Sequence, residues 1–178
     1  MLTRDDAVLM VVDVQGKLAR LMHEAGALFD NLSRLVRGAG VLEVPVLATE
    51  QNPPGLGPTV EEVRPHLPTA PISKMAFSCC GEPAVVEALE ATGRRQVLLC
   101  GIEAHICVYQ TARDLLGGGW EVHVVADAVS SRTPRNREVG LAKMQAAGAE
   151  VTSVETALFE MLRVAEGPAF KEILAIVK

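Results

Sequence analysis

Apolar residues in this chain follow two rhythms that take turns along its length. Nearly continuous apolar runs occur at Ala7–Val14 (AVLMVVDV), Val44–Thr49 (VPVLAT), Gln96–Cys100 (QVLLC) and Glu121–Ala126 (EVHVVA). A run that is apolar at every position, rather than at every second one, suits a strand covered on both faces, as in a parallel sheet. Between these runs the spacing turns helical at Leu28–Ala39, Glu82–Ala91, His105–Leu116, Pro134–Ala147, Thr156–Val164 and Ala169–Val177. Gly38 and Gly40, Gly117–Gly119 and Gly148 are read as stop signals. Ala70–Ser73 and Glu150–Val154 complete the set as third and sixth strands. Glu50–Pro58 (EQNPPGLGP) reads as a breaker-rich loop. Thr59 and Glu62 have the spacing of a capping box and predict a short helix that Pro65 and Pro68 end.

Strand and helix alternating in this way predict an α/β fold with a mostly parallel sheet. No repeat, low-complexity segment or linker divides the 178 residues, so residues 1–178 are expected to form a single domain. Aromatics make up only 3% of a chain that is 49% hydrophobic, so the core must be aliphatic. A net charge of −5 opposes nucleic acid as a partner, because phosphate contacts need a basic surface. The opening apolar run is too short to span a membrane, and acidic residues precede it where a signal peptide carries basic ones. The four cysteines form no C-x-x-C pair. A cytoplasmic protein with reduced thiols is the expectation.

In an open parallel sheet, ligands bind beyond the carboxyl ends of the strands. The polar residues there are Asp13 and Gln15; Glu50, Gln51 and Asn52; Ser73, Lys74 and Ser78; Glu103, His105 and Cys107; and Asp127, Ser130, Ser131 and Arg132. Cys107 stands at the start of a predicted helix, where partial positive charge favours a thiolate; the competing reading is a small buried hydrophobe. Asp13 ends an apolar strand and is either a base or a structural acceptor. Lys74 alone would be solvated surface. Together the three make chemical sense: Cys107 as nucleophile, Asp13 as its base, and Lys74 as the cation that lowers the thiol pKa and orients the carboxylate. The backbone N–H groups before and at Cys107 could hold an oxyanion. His105, two residues from Cys107, faces another side of the helix. His123 reads as a core or edge histidine, Cys100 as packing and Asp127 as a loop organiser. Cys79 and Cys80 are possible neighbours of the pocket, and Phe77 and Met75 its possible apolar wall. No G-x-G-x-x-G follows the first strand, so a dinucleotide site is unsupported.

Four ordered segments, V-V-D-V-Q (Val11–Gln15), S-K-M-A-F-S (Ser73–Ser78), G-I-E-A-H-I-C-V-Y-Q-T-A (Gly101–Ala112) and D-A-V-S-S-R (Asp127–Arg132), together with the tail from Ala147 to Phe159, resemble the isochorismatase-like cysteine hydrolases. The resemblance runs from about Ala7 to Leu162, and E-Q-x-P-x-G-L-G-P-T is most similar to the isochorismatase domain-containing proteins. It implies a three-layer, doubly wound α/β fold, with a six-stranded parallel sheet and helices on both faces. It implies Asp13, Lys74 and Cys107 as the catalytic triad, and a non-proline cis peptide joining Ile102 to Glu103. That peptide would turn the Glu103 N–H toward the oxyanion beside that of Cys107. Gln15, Glu50, Gln51, Phe77 and Ser78 are expected around the substrate.

The nicotinamidase branch carries an Asp-x-His metal site after the second strand; here that motif is missing and His66 stands alone. No metal and no cofactor are therefore expected. Cleavage of isochorismate itself is disfavoured, because the enzymes that perform it need no cysteine. The expected activity is hydrolysis of a C–N bond in a small amide or ureide through a thioester, by a homo-oligomer of two or more subunits. The scarcity of aromatics favours an aliphatic substrate. Two alternatives stay open: a peroxide-sensing thiol protein built on Cys107 with Cys79 or Cys80, and a catalytically silent scaffold.

Overall fold

The apolar runs pair side by side into one sheet whose strands are all parallel. In the computed structural model, which describes residues Met1–Lys178, these are β1 (Ala7–Val12), β2 (Val46–Gln51), β3 (Ile72–Lys74), β4 (Gln96–Ile102), β5 (Glu121–Ser130) and β6 (Glu150–Thr152). They lie in the order β3-β2-β1-β4-β5-β6. This is the six-stranded α/β arrangement expected above. The order reverses between β1 and β4, so a crevice opens beyond their carboxyl ends.

The continuous apolarity of β1 divides by alternation into two cores. Ala7, Leu9 and Val11 join one cluster with α2 (Ala25–Val41), α7 (Val154–Leu162) and α8 (Gly167–Val177). Val8, Met10 and Val12 join the other, with α4 (Pro83–Ala91), α5 (Tyr109–Gly117) and α6 (Pro134–Ala146). Every residue of β1 and β4 is buried.

Three local expectations need correction. No helix starts at Thr59. Its N–H and Oγ1 both donate to Glu50 Oε1, at 2.6 and 2.7 Å, and Glu62 instead pairs with Arg20. Only a 3-10 turn, Arg64–His66, forms before the chain reaches β3. The proline-rich loop holds one helical turn, α3 (Pro53–Leu56), with two prolines at its start where no N–H is needed. A further short helix, α1 (Gly16–Arg20), follows β1; five residues are too few to show a helical period.

Two irregularities shape the crevice. Gly101 in β4 has φ +113°, and a Cβ there would stand 2.1 Å from the Val12 carbonyl oxygen. Only glycine permits this approach of β4 to β1. In β5, Leu99 pairs with Val124 but Gly101 pairs with Val129, so β5 carries a bulge. Its freed carbonyls are taken up by Arg137, which donates to Ala126 O and Val129 O, and by Asn31, which donates to Asp127 O at 2.8 Å. The bulge extends the strand to Ser130, four residues past its expected end.

Candidate active site

β1 stops at Val12, and Asp13 turns out of the strand with φ +53°. A left-handed conformation is tolerated best by glycine, asparagine and aspartate. The turn is held by Asp13 N–H donating to Thr49 O at 3.2 Å, while Thr49 Oγ1 donates to Asp13 Oδ1 at 2.8 Å. The other carboxylate oxygen, Oδ2, accepts from Lys74 Nζ at 2.6 Å. Lys74 ends β3, and its side chain has no solvent exposure. A buried ammonium is tolerated only when its donors are all used. Here the carbonyls of Ala76 and Phe77, each at 3.0 Å, and Asp13 take all three.

Cys107 arrives from β4. After Ile102 the chain passes through a cis peptide to Glu103 and then winds one π-type turn, Ala104–Val108, before α5 begins. Cys107 thus sits inside this turn rather than at the start of a regular helix. Gly140 of α6 lets the turn pack closely, since a Cβ there would lie 2.6 Å from the Ala104 carbonyl. The Glu103 N–H donates to no acceptor in the chain. The Glu103 carboxylate is drawn aside by Arg132, whose N–H and Nε reach it at 3.0 and 3.1 Å.

Asp13, Cys107 and Glu103 line one cavity of about 120 Å³ together with Gln15, Gln51 and Phe77. Its walls are otherwise aliphatic: Leu18, Leu56, Ile102 and Ile106. These four have no chemical signature in the sequence, because an apolar wall residue looks like any core residue. Lys74 stands behind the wall and reaches the site through Asp13. The Cys107 thiol donates to Gln51 Oε1 at 3.3 Å. Burial and the neighbouring Asp13 carboxylate push this thiol up to about 12, against the opposing influence of Lys74. Lys74 is expected to lower this thiol; in the fold, desolvation outweighs it, and the thiol rests protonated beside the Asp13 carboxylate.

Several expected neighbours lie elsewhere. Glu50 is outside the cavity, turned under the loop to bond Thr59. Ser78 also lies outside it, where its hydroxyl caps the 3-10 turn Cys79–Gly81. Met75 points to solvent, 70% exposed, and only its carbonyl serves the site, accepting from Gln51 Nε2. Cys79 is buried behind the pocket, 3.6 Å from Thr49 Oγ1. Gln15 does border the cavity, but its amide is consumed by Gln51 N and O and Gly57 O. Thr49 is a member of the site that the sequence did not single out. His105 bonds Ser131, and His123 is held between Glu121 and Glu150 at the far end of the sheet. Asp127 Oδ1 caps α7 by accepting from Val154 N. No group of three or more His, Cys, Asp and Glu side chains is arranged to hold a metal ion, and no helix is long and apolar enough to cross a membrane.

The arrangement can be set beside known proteins. The isochorismatase domain model matches residues 7–156. The secreted isochorismatase effector Isc1 of Phytophthora sojae is 42% identical, the match covering 97% of this chain and 84% of the relative. The structure of MAR1 ribonuclease from Caenorhabditis elegans superposes with a TM-score of 0.93 at 36% identity, over 99% of this chain and 91% of that one. The Escherichia coli YcaC product, described as an octameric hydrolase of unknown specificity, superposes with a TM-score of 0.92 at 26% identity, over 98% and 88%. With its fold, its matched length and its relatives in agreement, this chain belongs to the isochorismatase family of hydrolases.

Proposed function

We propose that this protein is a cysteine hydrolase that cleaves the C–N bond of a small amide or ureide, with Asp13, Lys74 and Cys107 as its triad. The observation that carries the reading is the buried Lys74–Asp13 pair, 2.6 Å apart, whose carboxylate lines the same cavity as Cys107. A carboxylate held by an ammonium on one oxygen and by the Thr49 hydroxyl on the other is fixed in orientation, which is what a general base needs.

The steps follow from the groups present. Asp13 takes the proton from Cys107 Sγ, and the sulfur attacks the substrate carbonyl carbon. The oxyanion that forms is held by the N–H groups of Glu103 and Cys107. Collapse breaks the C–N bond, and Asp13 returns its proton to the departing nitrogen. Asp13 then deprotonates a water, which attacks the thioester and releases the acid, restoring the thiol. Ammonia release from a panel of short amides and ureides, with accumulation of acyl adduct on Cys107, tests this. Turnover surviving in Cys107→Ala would overturn it.

A peroxide-sensing role is less well supported, because a sensor thiol is a low-pKa thiolate and this one is pushed up to about 12. Four unpaired thiols suit a reducing, cytoplasmic setting. Self-association is supported by the octameric YcaC relative and by exposed apolar side chains, Leu21, Leu56, Met75 and Phe77, on segments that border the site. Light scattering giving a monomer mass would overturn it.

A further inference from the structure

The Gln51 side chain holds an acceptor that the proposed chemistry would leave without a close donor. Its backbone is clamped on both sides by the buried Gln15, whose Oε1 accepts from Gln51 N at 2.6 Å and whose Nε2 donates to Gln51 O at 2.9 Å. The carboxamide has only one consistent orientation. Nε2 donates to Met75 O at 3.3 Å, while Oε1 faces Lys74 Nζ at 3.5 Å and Cys107 Sγ at 3.3 Å. Flipped, it would set acceptor against acceptor at Met75 and donor against ammonium at Lys74.

Oε1 therefore points at the nucleophile, and its short-range donor is the thiol. The Lys74 contact is longer than the three that already use the ammonium hydrogens. When the thiol proton moves to Asp13, Oε1 faces sulfur lone pairs with no hydrogen between them. Only the 3.5 Å contact to Lys74 Nζ then remains to it, and a partly buried acceptor without a close donor is costly. An N–H of the substrate's reacting amide, seated between Oε1 and the Asp13 carboxylate, supplies the missing donor. An ester has none to offer.

Resting on the cysteine-hydrolase reading above, we infer that Gln51 is a specificity residue whose Oε1 accepts an N–H of the leaving group and so selects amides over esters of the same acyl group. The rest of the lining sets the acyl group. The walls Leu18, Leu56, Ile102 and Ile106 are aliphatic, the cavity is about 120 Å³, and no lysine or arginine lines it. The acyl group is compact, uncharged and apolar.

Two measurements test this. The first compares kcat/KM for a matched primary amide and methyl ester in the native protein and in Gln51→Met. The amide-to-ester ratio falls about tenfold in the variant, the loss of one hydrogen bond. A ratio that does not change overturns the inference, even if both rates drop. The second needs no turnover. Iodoacetamide and methyl iodoacetate are competed for the native protein, and labelling is resolved by peptide mass at Cys107 and at Cys80, which is outside the cavity. Cys107 shows the higher preference for iodoacetamide, and Gln51→Met brings it down to the Cys80 value. Equal preference at the two cysteines of the native protein overturns the assignment of Gln51. Loss of the hydrolase reading shows separately, as turnover that persists in Cys107→Ala.

Discussion

Gly140 of α6 lies so close beneath Ala104 that a methyl group on it would stand 2.6 Å from both the Ala104 carbonyl carbon and its oxygen. The neighbour is backbone and cannot swing away, so a side chain there must push the whole turn that carries Cys107. Gly140→Ala is expected to cost about 1–3 kcal/mol by overpacking. Urea denaturation reads that cost. A drop in Cys107 labelling at unchanged urea midpoint would assign the glycine to site geometry alone.

Lys74 and Asp13 form an ion pair with almost no solvent contact. Removing one partner strands the other charge, so Lys74→Met is expected to destabilise by about 3–5 kcal/mol. Adding Asp13→Asn to it restores much of that loss, because the stranded carboxylate is gone and asparagine tolerates the left-handed backbone at this position. A double-mutant cycle by thermal unfolding measures the coupling. Additive losses would show that the pair does not act as a unit.

Gln15 is fully buried and bonds Gln51 N, Gln51 O and Gly57 O. Gln15→Leu keeps the volume and orphans those backbone groups, at about 1–3 kcal/mol for a buried group left unpaired. The loop from Gln51 to Gly57 should then exchange its amide hydrogens faster than in the native protein, while β1 and β4 stay protected. Uniformly faster exchange would mean that the loss is global.

Burial and Asp13 hold Cys107 up to about 12, burial holds Cys80 up to about 11, and burial raises Cys100 as well. Alkylation of Cys107 should therefore climb steadily with pH above neutrality. A plateau near neutral pH would reveal a preformed thiolate. The same shifts predict the stability profile. Each thiol keeps its proton in the folded state at a pH where the unfolded chain, with thiols near roughly 8.5, releases it. Their stabilisation is complete below that value and is lost as pH rises through it toward the folded values. The melting temperature falls across this alkaline window, and less steeply in Cys100→Ala.

Much of the candidate site was legible because its residues sit at or beyond the carboxyl ends of strands. The run Ala7–Val12 announced a strand, and the first polar residue after it, Asp13, had to lie on the rim. The same logic reached Lys74 and Cys107. Glu50 and Ser78 misled because rim position says nothing about side-chain direction. Glu50 turns to the two donors of Thr59, and Ser78 to the free N–H of Cys80. Neither partner could be found from spacing.

Hydrophobic period and breaker residues are local properties, and by themselves they determined the alternation of strand and helix, the burial of β1 on both faces and the aliphatic core. Only the tertiary structure decided that Lys74 meets Asp13 across 61 residues and Cys107 meets Gln51 across 56. It alone placed Cys107 in a π-type turn and set its thiol above rather than below the ordinary range. These outcomes depend on desolvation and on hydrogen bonds between distant segments. A linear pattern cannot encode such energies, because they exist only once the chain has closed around the charges.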